Sequence, residues 1–115
     1  MNKVEEFRNY RKLMNERILK SDNKVIKRIF SIDTLAYNEG FLDSKTKEIV
    51  GLACSLVLRC DDCVKYHIEQ CYKLGLKEEE FFEVLSIANL IGGTIVIPHL
   101  RRAVEYWDEL VKFSK

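Results

Sequence analysis

One proline and five glycines in 115 residues leave the chain short of the residues that interrupt regular structure. That scarcity argues against collagenous, linker-rich or loop-dominated architectures. An excess of charge of one sign is also missing. Nineteen Lys and Arg against eighteen Asp and Glu give a net charge of +1, too little to draw the protein onto nucleic acid or an acidic membrane surface. Long apolar runs are absent: the run from Val50 to Leu58 is broken by Ser55, and Thr94 interrupts the stretch before Pro98. Neither approaches the ~18 residues of a membrane span. The first eight residues, Met-Asn-Lys-Val-Glu-Glu-Phe-Arg, have no apolar centre of the kind a signal peptide carries, so a cytoplasmic location is expected. What is present is the composition of a folded chain, 47% apolar and 32% charged, at a length that fits one domain over residues 1–115.

Apolar residues recur at helical spacing, without sustained alternation of period two. The first segment, about residues 3–19, carries Val4, Phe7, Tyr10, Met14 and Ile18 on one stripe. Ser21, Asp22 and Asn23 offer N-cap chemistry for a second helix with Val25, Ile29, Leu35 and Ala36 inward, ending near Gly40. Asp43 or Ser44 caps a third, about 44–58, apolar on most sides and therefore expected to be central. A fourth helix runs from about Asp61 to Leu74 and is closed by Gly75. Glu78, Glu79 and Glu80 open a fifth, with Phe81, Leu85, Ala88 and Ile91 inward and Gly92-Gly93 as its stop. Pro98 suits the first turn of a sixth, in which Leu100, Ala103, Val104, Trp107, Leu110 and Val111 follow at helical intervals. The fold class is all-α, with five to six helices. Tyr66, Phe82, Tyr106 and Phe113 fall off the simplest inward stripes, so a homo-oligomer is expected to cover part of the apolar surface.

Four cysteines stand at positions 54, 60, 63 and 71. In a reducing compartment such cysteines serve as packing residues, metal ligands or redox thiols. Cys60 and Cys63 lie at i and i+3 where the fourth helix begins, and His67 is one turn beyond Cys63 on the same face. Glu48, on the preceding helix, reaches His67 if the two helices pack antiparallel. These residue types suit a dithiol redox centre. A helix amino end and a neighbouring base favour the thiolate, a carboxylate behind the imidazole stabilises the imidazolium, and a second thiol resolves a sulfenic acid or mixed disulfide. Asp61 and Asp62, beside the sulfurs, oppose a further negative charge, whereas Arg59 favours it.

Zinc is the chemical competitor, because Cys60, Cys63, His67 and Cys71 share one helix face. From Cys60 to Cys71 the helix rises roughly 16 Å, whereas Zn–S bonds are about 2.3 Å, so one zinc cannot hold all four, and a site of three plus a distant ligand stays open. No metal and no cofactor is expected. Cys54 and Cys71 read as packing residues. His99, after Pro98, is a surface or packing residue or a group near the site; Arg101-Arg102 and the acidic run 78–80 read as solvated faces.

Leu42 to Glu48, Cys60-x-x-Cys63-x-x-x-His67, the break at Gly75, Glu78-Glu79-Glu80-Phe81 and Gly92-Gly93 together resemble the carboxymuconolactone decarboxylase family, and within it the alkyl hydroperoxidase D (AhpD)-like branch. The likeness covers about residues 30–110. It implies an AhpD-like helical bundle assembled into trimers or hexamers, with sites near subunit interfaces. It also implies a proton relay in which Glu48 and His67 activate Cys63 while Cys60 completes the disulfide. The implied activity is reduction of a hydroperoxide or of a peroxiredoxin partner, with electrons from a dithiol such as a lipoyl protein. Asp62 departs from the AhpD pattern, which has a histidine before the second cysteine. Two other functions remain open: a decarboxylase acting on a small lactone acid, which needs acid–base groups but no thiol pair, and a non-catalytic helical oligomeric module.

Overall fold

The computed structural model describes residues 2–114, and every regular element among them is a helix. Two units divide the chain, one up to Asn38 and the other from Glu39 onward.

In the first unit, α1 (Lys3–Lys20) starts behind Asn2, whose side chain accepts the Glu5 N–H at 2.8 Å. Glu5 and Glu6 occupy its first turn and Arg17 and Lys20 its last, matching the helix dipole at both ends. The chain reverses through Asp22, in the left-handed region at φ 59°, and α2 (Lys24–Ala36) begins behind Asn23, which accepts the Ile26 N–H at 3.1 Å. Val4 and Phe7 are buried, but Tyr10, expected on the same stripe, is 61% exposed. The inward face expected for α2 is likewise solvent-facing: Val25, Ile29, Leu35 and Ala36 are all exposed. Their periodicity specifies the helix correctly, yet a periodic apolar face needs a surface to cover it, and the chain leaves this one uncovered.

The second unit holds α3 (Ser44–Val57), α4 (Asp61–Lys73), α5 (Glu78–Gly92), one turn of 3-10 helix (Thr94–Val96) and α6 (Ile97–Phe113). Helix α3 packs against α4 and α5, and α4 also packs against α6. Two turns are built alike. After α4, the Gly75 N–H bonds to Tyr72 O and the Leu76 N–H to Cys71 O; after α3, the Arg59 N–H bonds to Leu56 O and the Cys60 N–H to Ser55 O. Both are Schellman closures, which place one residue in left-handed backbone. Gly75 takes that place at φ 91°, and Arg59 takes it at φ 61° despite its side chain.

The core of this unit centres on Trp107, stacked on Phe81 at 4.4 Å between ring centroids and met edge-on by Tyr72 at 5.6 Å. Leu52, Leu56, Ile68 and Val96 of the same unit are fully buried. Three expectations need correction. Helix α3 is not covered on most sides, since Val50 is half exposed. Ile91 is 69% exposed although its neighbour Gly92 lies close to Val57 of α3 and to Val96, so it faces away from that contact. Tyr106, expected off the inward stripe, is 1% exposed, because α6 lies against α4 along that side.

Candidate functional site

The connection between α3 and α4 is three residues long, so the two helices form a hairpin. Its Schellman turn delivers Cys60 to the N-cap position of α4. There the Cys60 sulfur accepts the Cys63 N–H at 3.3 Å, the role usually played by a Ser, Asp or Asn oxygen. The two sulfurs are joined as a disulfide, with Cα atoms 5.3 Å apart. Both therefore sit where unpaired helical N–H groups and the positive end of the dipole favour a thiolate once the bond is reduced. Cys63 is exposed and Cys60 half-buried.

Hairpin packing also brings the acid to the imidazole. Glu48 Oε1 lies 2.8 Å from His67 Nδ1, with both residues buried. A carboxylate only accepts, so Nδ1 carries the hydrogen and Nε2 is the basic nitrogen of the neutral ring. Tyr66 meets the same ring edge-on at 5.4 Å. The four residues singled out from the sequence, Glu48, Cys60, Cys63 and His67, thus fall on one hairpin, with His67 one turn beyond Cys63.

The other cysteines differ from each other. Cys71 is fully buried, and its thiol is pushed up to about 12, first by burial and then by the Glu48 charge. Such a thiol is inert packing. Cys54, also expected to pack, is exposed instead. It faces a groove of about 430 Å³ between α3 and α5, lined by residues including Val50, Leu76 and Ile87.

His99 is drawn to the same end of α4. Its Nδ1 lies 2.7 Å from Asp61 Oδ1, and Arg102 Nη1 lies 3.4 Å from Asp61 Oδ2. Arg102, read from the sequence as part of a solvated face, is exposed but engaged in this pair. A second polar contact was not visible in the sequence at all: the Tyr106 hydroxyl donates to Glu69 Oε2 at 2.7 Å, and both residues are buried. Among the described residues, no three His, Cys, Asp or Glu side chains cluster closely enough to hold a metal ion, and no helix is long and apolar enough to cross a membrane.

The class these features define is an all-helical protein with a cysteine pair at a helix amino end and a buried Glu–His pair on the same hairpin. Residues 24–106 match the carboxymuconolactone decarboxylase family, and the chain belongs to that family. A crystal structure of a carboxymuconolactone decarboxylase family protein from Thermotoga maritima, for which a part in an antioxidative response has been suggested, superposes with a TM-score of 0.90 at 47% identity, covering 95% of this chain and 92% of that one. An uncharacterized protein of Cupriavidus necator is 32% identical over 75 residues, which are 65% of this chain and 66% of the relative. The alkyl hydroperoxide reductase AhpD of Corynebacterium kroppenstedtii is 36% identical over 56 residues, 49% of this chain and 32% of that protein. The chain thus spans just under two thirds of the first relative and about a third of the second.

Proposed function

We propose that the protein is a thiol-dependent peroxidase or disulfide reductase in which Cys60 and Cys63 cycle between dithiol and disulfide. The observation that carries this is the buried 2.8 Å contact between Glu48 and His67 on the hairpin whose turn presents the bonded cysteine pair. Likeness to an AhpD protein over part of the chain supports the same chemistry.

The Cys63 thiol passes its proton to His67 Nε2, and Glu48 stabilises the imidazolium. The thiolate attacks the terminal oxygen of a hydroperoxide. An S–O bond forms as the O–O bond breaks, and the departing alkoxide takes the proton from His67 to leave as an alcohol. Cys60 then attacks the sulfenic sulfur: the S–S bond forms, and hydroxide leaves as water with the Cys60 proton. Two electrons have passed from the dithiol to the peroxide. A dithiol reductant, such as a lipoyl protein, returns two electrons and two protons by thiol–disulfide exchange. The same dithiol presented to a peroxiredoxin disulfide makes the protein a disulfide reductase.

The proposal includes a cytoplasmic setting, where a dithiol pool sustains the cycle, and assembly into a trimer or hexamer. The exposed apolar residues of α2, among them Val25, Ile29, Ile32 and Leu35, support assembly, and light scattering tests it.

Turnover of a hydroperoxide with dihydrolipoamide as reductant tests the activity. Wild-type protein turns over, and Cys60→Ser and Cys63→Ser do not. Unchanged turnover in both variants rejects the proposal. Turnover of a small lactone acid that survives the double substitution would assign the site to decarboxylation instead.

A further inference from the structure

Two aspartates flank sulfurs whose reactivity depends on how easily a negative charge forms there, and the structure treats them differently. Asp62 is exposed. Asp61, the first residue of α4 and next to Cys60 in the chain, is turned toward α6 and half-buried. One of its oxygens is met by His99 and the other by Arg102. An ionised carboxylate offers no hydrogen, so His99 Nδ1 donates to it, and the Arg102 guanidinium is charged at all relevant pH. The side chain of His99 is 17% exposed, so its hydrogen bond is partly shielded from water. The same Arg102 Nη1 that faces Asp61 also donates to Pro98 O at 3.4 Å.

We propose that His99 and Arg102 are positioning residues for the dithiol: they hold the Asp61 carboxylate against α6 and offset its charge, so that thiolate forms at the amino end of α4 without its repulsion. The inference rests on the thiol chemistry proposed above and adds to it a second His–carboxylate pair with a different task. Glu48 and His67 take up a proton, whereas His99 and Arg102 remove an electrostatic obstacle. Charged groups beside the pair in the chain or on the same hairpin are Asp62 on α4, Arg59 in the preceding turn, and Glu48 of α3 paired with His67 of α4. The variants below leave all of them in place.

The test uses reduced full-length protein carrying Cys54→Ser, which removes the other exposed thiol. Alkylation of Cys60 and Cys63 by iodoacetamide is followed by mass spectrometry as a function of pH. Replacing both His99 and Arg102 by Gln is expected to move the alkylation midpoint to higher pH and to slow the neutral-pH rate by about three- to tenfold, the effect of one uncompensated nearby charge. Adding Asp61→Asn to that variant should return the rate to within about twofold of the parent, because the charge to be offset is gone. A purely structural role for α6 at this point predicts no such rescue. Two single variants at the exposed Arg102 guard against misfolding of the double: Arg102→Gln slows alkylation modestly, and Arg102→Glu slows it further. An unchanged pH profile in the double variant, a slowed rate that Asp61→Asn fails to restore, or equal rates for Arg102→Gln and Arg102→Glu would overturn the inference. Alkylation involves no peroxide, so a wild type that alkylates readily but spares hydroperoxide defeats the proposed activity while leaving the charge-offset inference standing.

Discussion

Glu48→Gln isolates the charge of the relay from its geometry. The Gln side-chain oxygen still accepts from His67 Nδ1, so the 2.8 Å contact and the ring orientation survive. What disappears is the negative charge behind the ring. Between unperturbed groups, moving a proton from cysteine to histidine is uphill by about 2.7 kcal/mol. At an effective dielectric of about 20, opposite unit charges about 5 Å apart attract by about 3 kcal/mol. Glu48 is 4% exposed, so solvent screens little of this. Allowing for relaxation, loss of the charge costs about 1.5 to 3 kcal/mol and slows formation of the reactive thiolate by about 10- to 150-fold. Stopped-flow measurement of Cys63 oxidation by hydroperoxide, in the Cys54→Ser background, reads the rate directly. The loss should be largest near neutral pH and shrink in alkali, where the thiol ionises without help. Cys71 should stay unreactive in the variant, because burial outweighs the Glu48 charge in pushing its thiol up. A Glu48→Gln protein that folds normally and reacts within twofold of the parent at neutral pH would refute the relay.

Four further outcomes follow from the packing. Burial pushes the Cys71 thiol up to about 12 from its ordinary value of 9.0, so below about pH 9 its contribution to stability is fully present, and it is lost as pH rises toward 12; denaturant titrations should show the gap between wild type and Cys71→Ala narrowing over that window. Gly92→Ala sets a methyl group against the side chain of fully buried Val96, an overpacking worth about 1 to 3 kcal/mol that a thermal melt will register as a lower Tm. Tyr106→Phe withdraws a hydroxyl from the buried Glu69 carboxylate and should cost about 1 to 3 kcal/mol by denaturation. Arg59→Gly relieves left-handed backbone at φ 61° and should change stability by no more than about 1 kcal/mol in the favourable direction, the relief being offset by added freedom in the unfolded chain.

Local signals account for most of what the sequence predicts correctly. Asn23 and Asp43 cap α2 and α3, Gly75 closes α4, and Glu78 opens α5, each through short-range chemistry that needs no knowledge of the rest of the chain. The pairing of Glu48 with His67 is legible for a related reason: a three-residue turn leaves hairpin geometry as the natural arrangement. Partners far apart in sequence are not legible. His99 and Asp61 are 38 residues apart, and nothing near either residue announces the other. Glu69 looks like a solvated acid in a polar-looking helix. Its burial follows from α4 lying between α3 and α6, which covers two of its faces rather than one. The same logic in reverse explains α2, whose apolar periodicity predicts a covered face that the chain leaves open.

Everything chemical here depends on Cys60 and Cys63 being the pair that surrenders electrons. Reduced protein treated with one equivalent of hydroperoxide and analysed by peptide mass spectrometry tests this most directly. The expected result is loss of the mass of two hydrogen atoms, mapped to the peptide holding Cys60 and Cys63, with Cys54 and Cys71 still thiols. Unoxidised Cys60 and Cys63, or a bond that joins either of them to another cysteine instead, would contradict it.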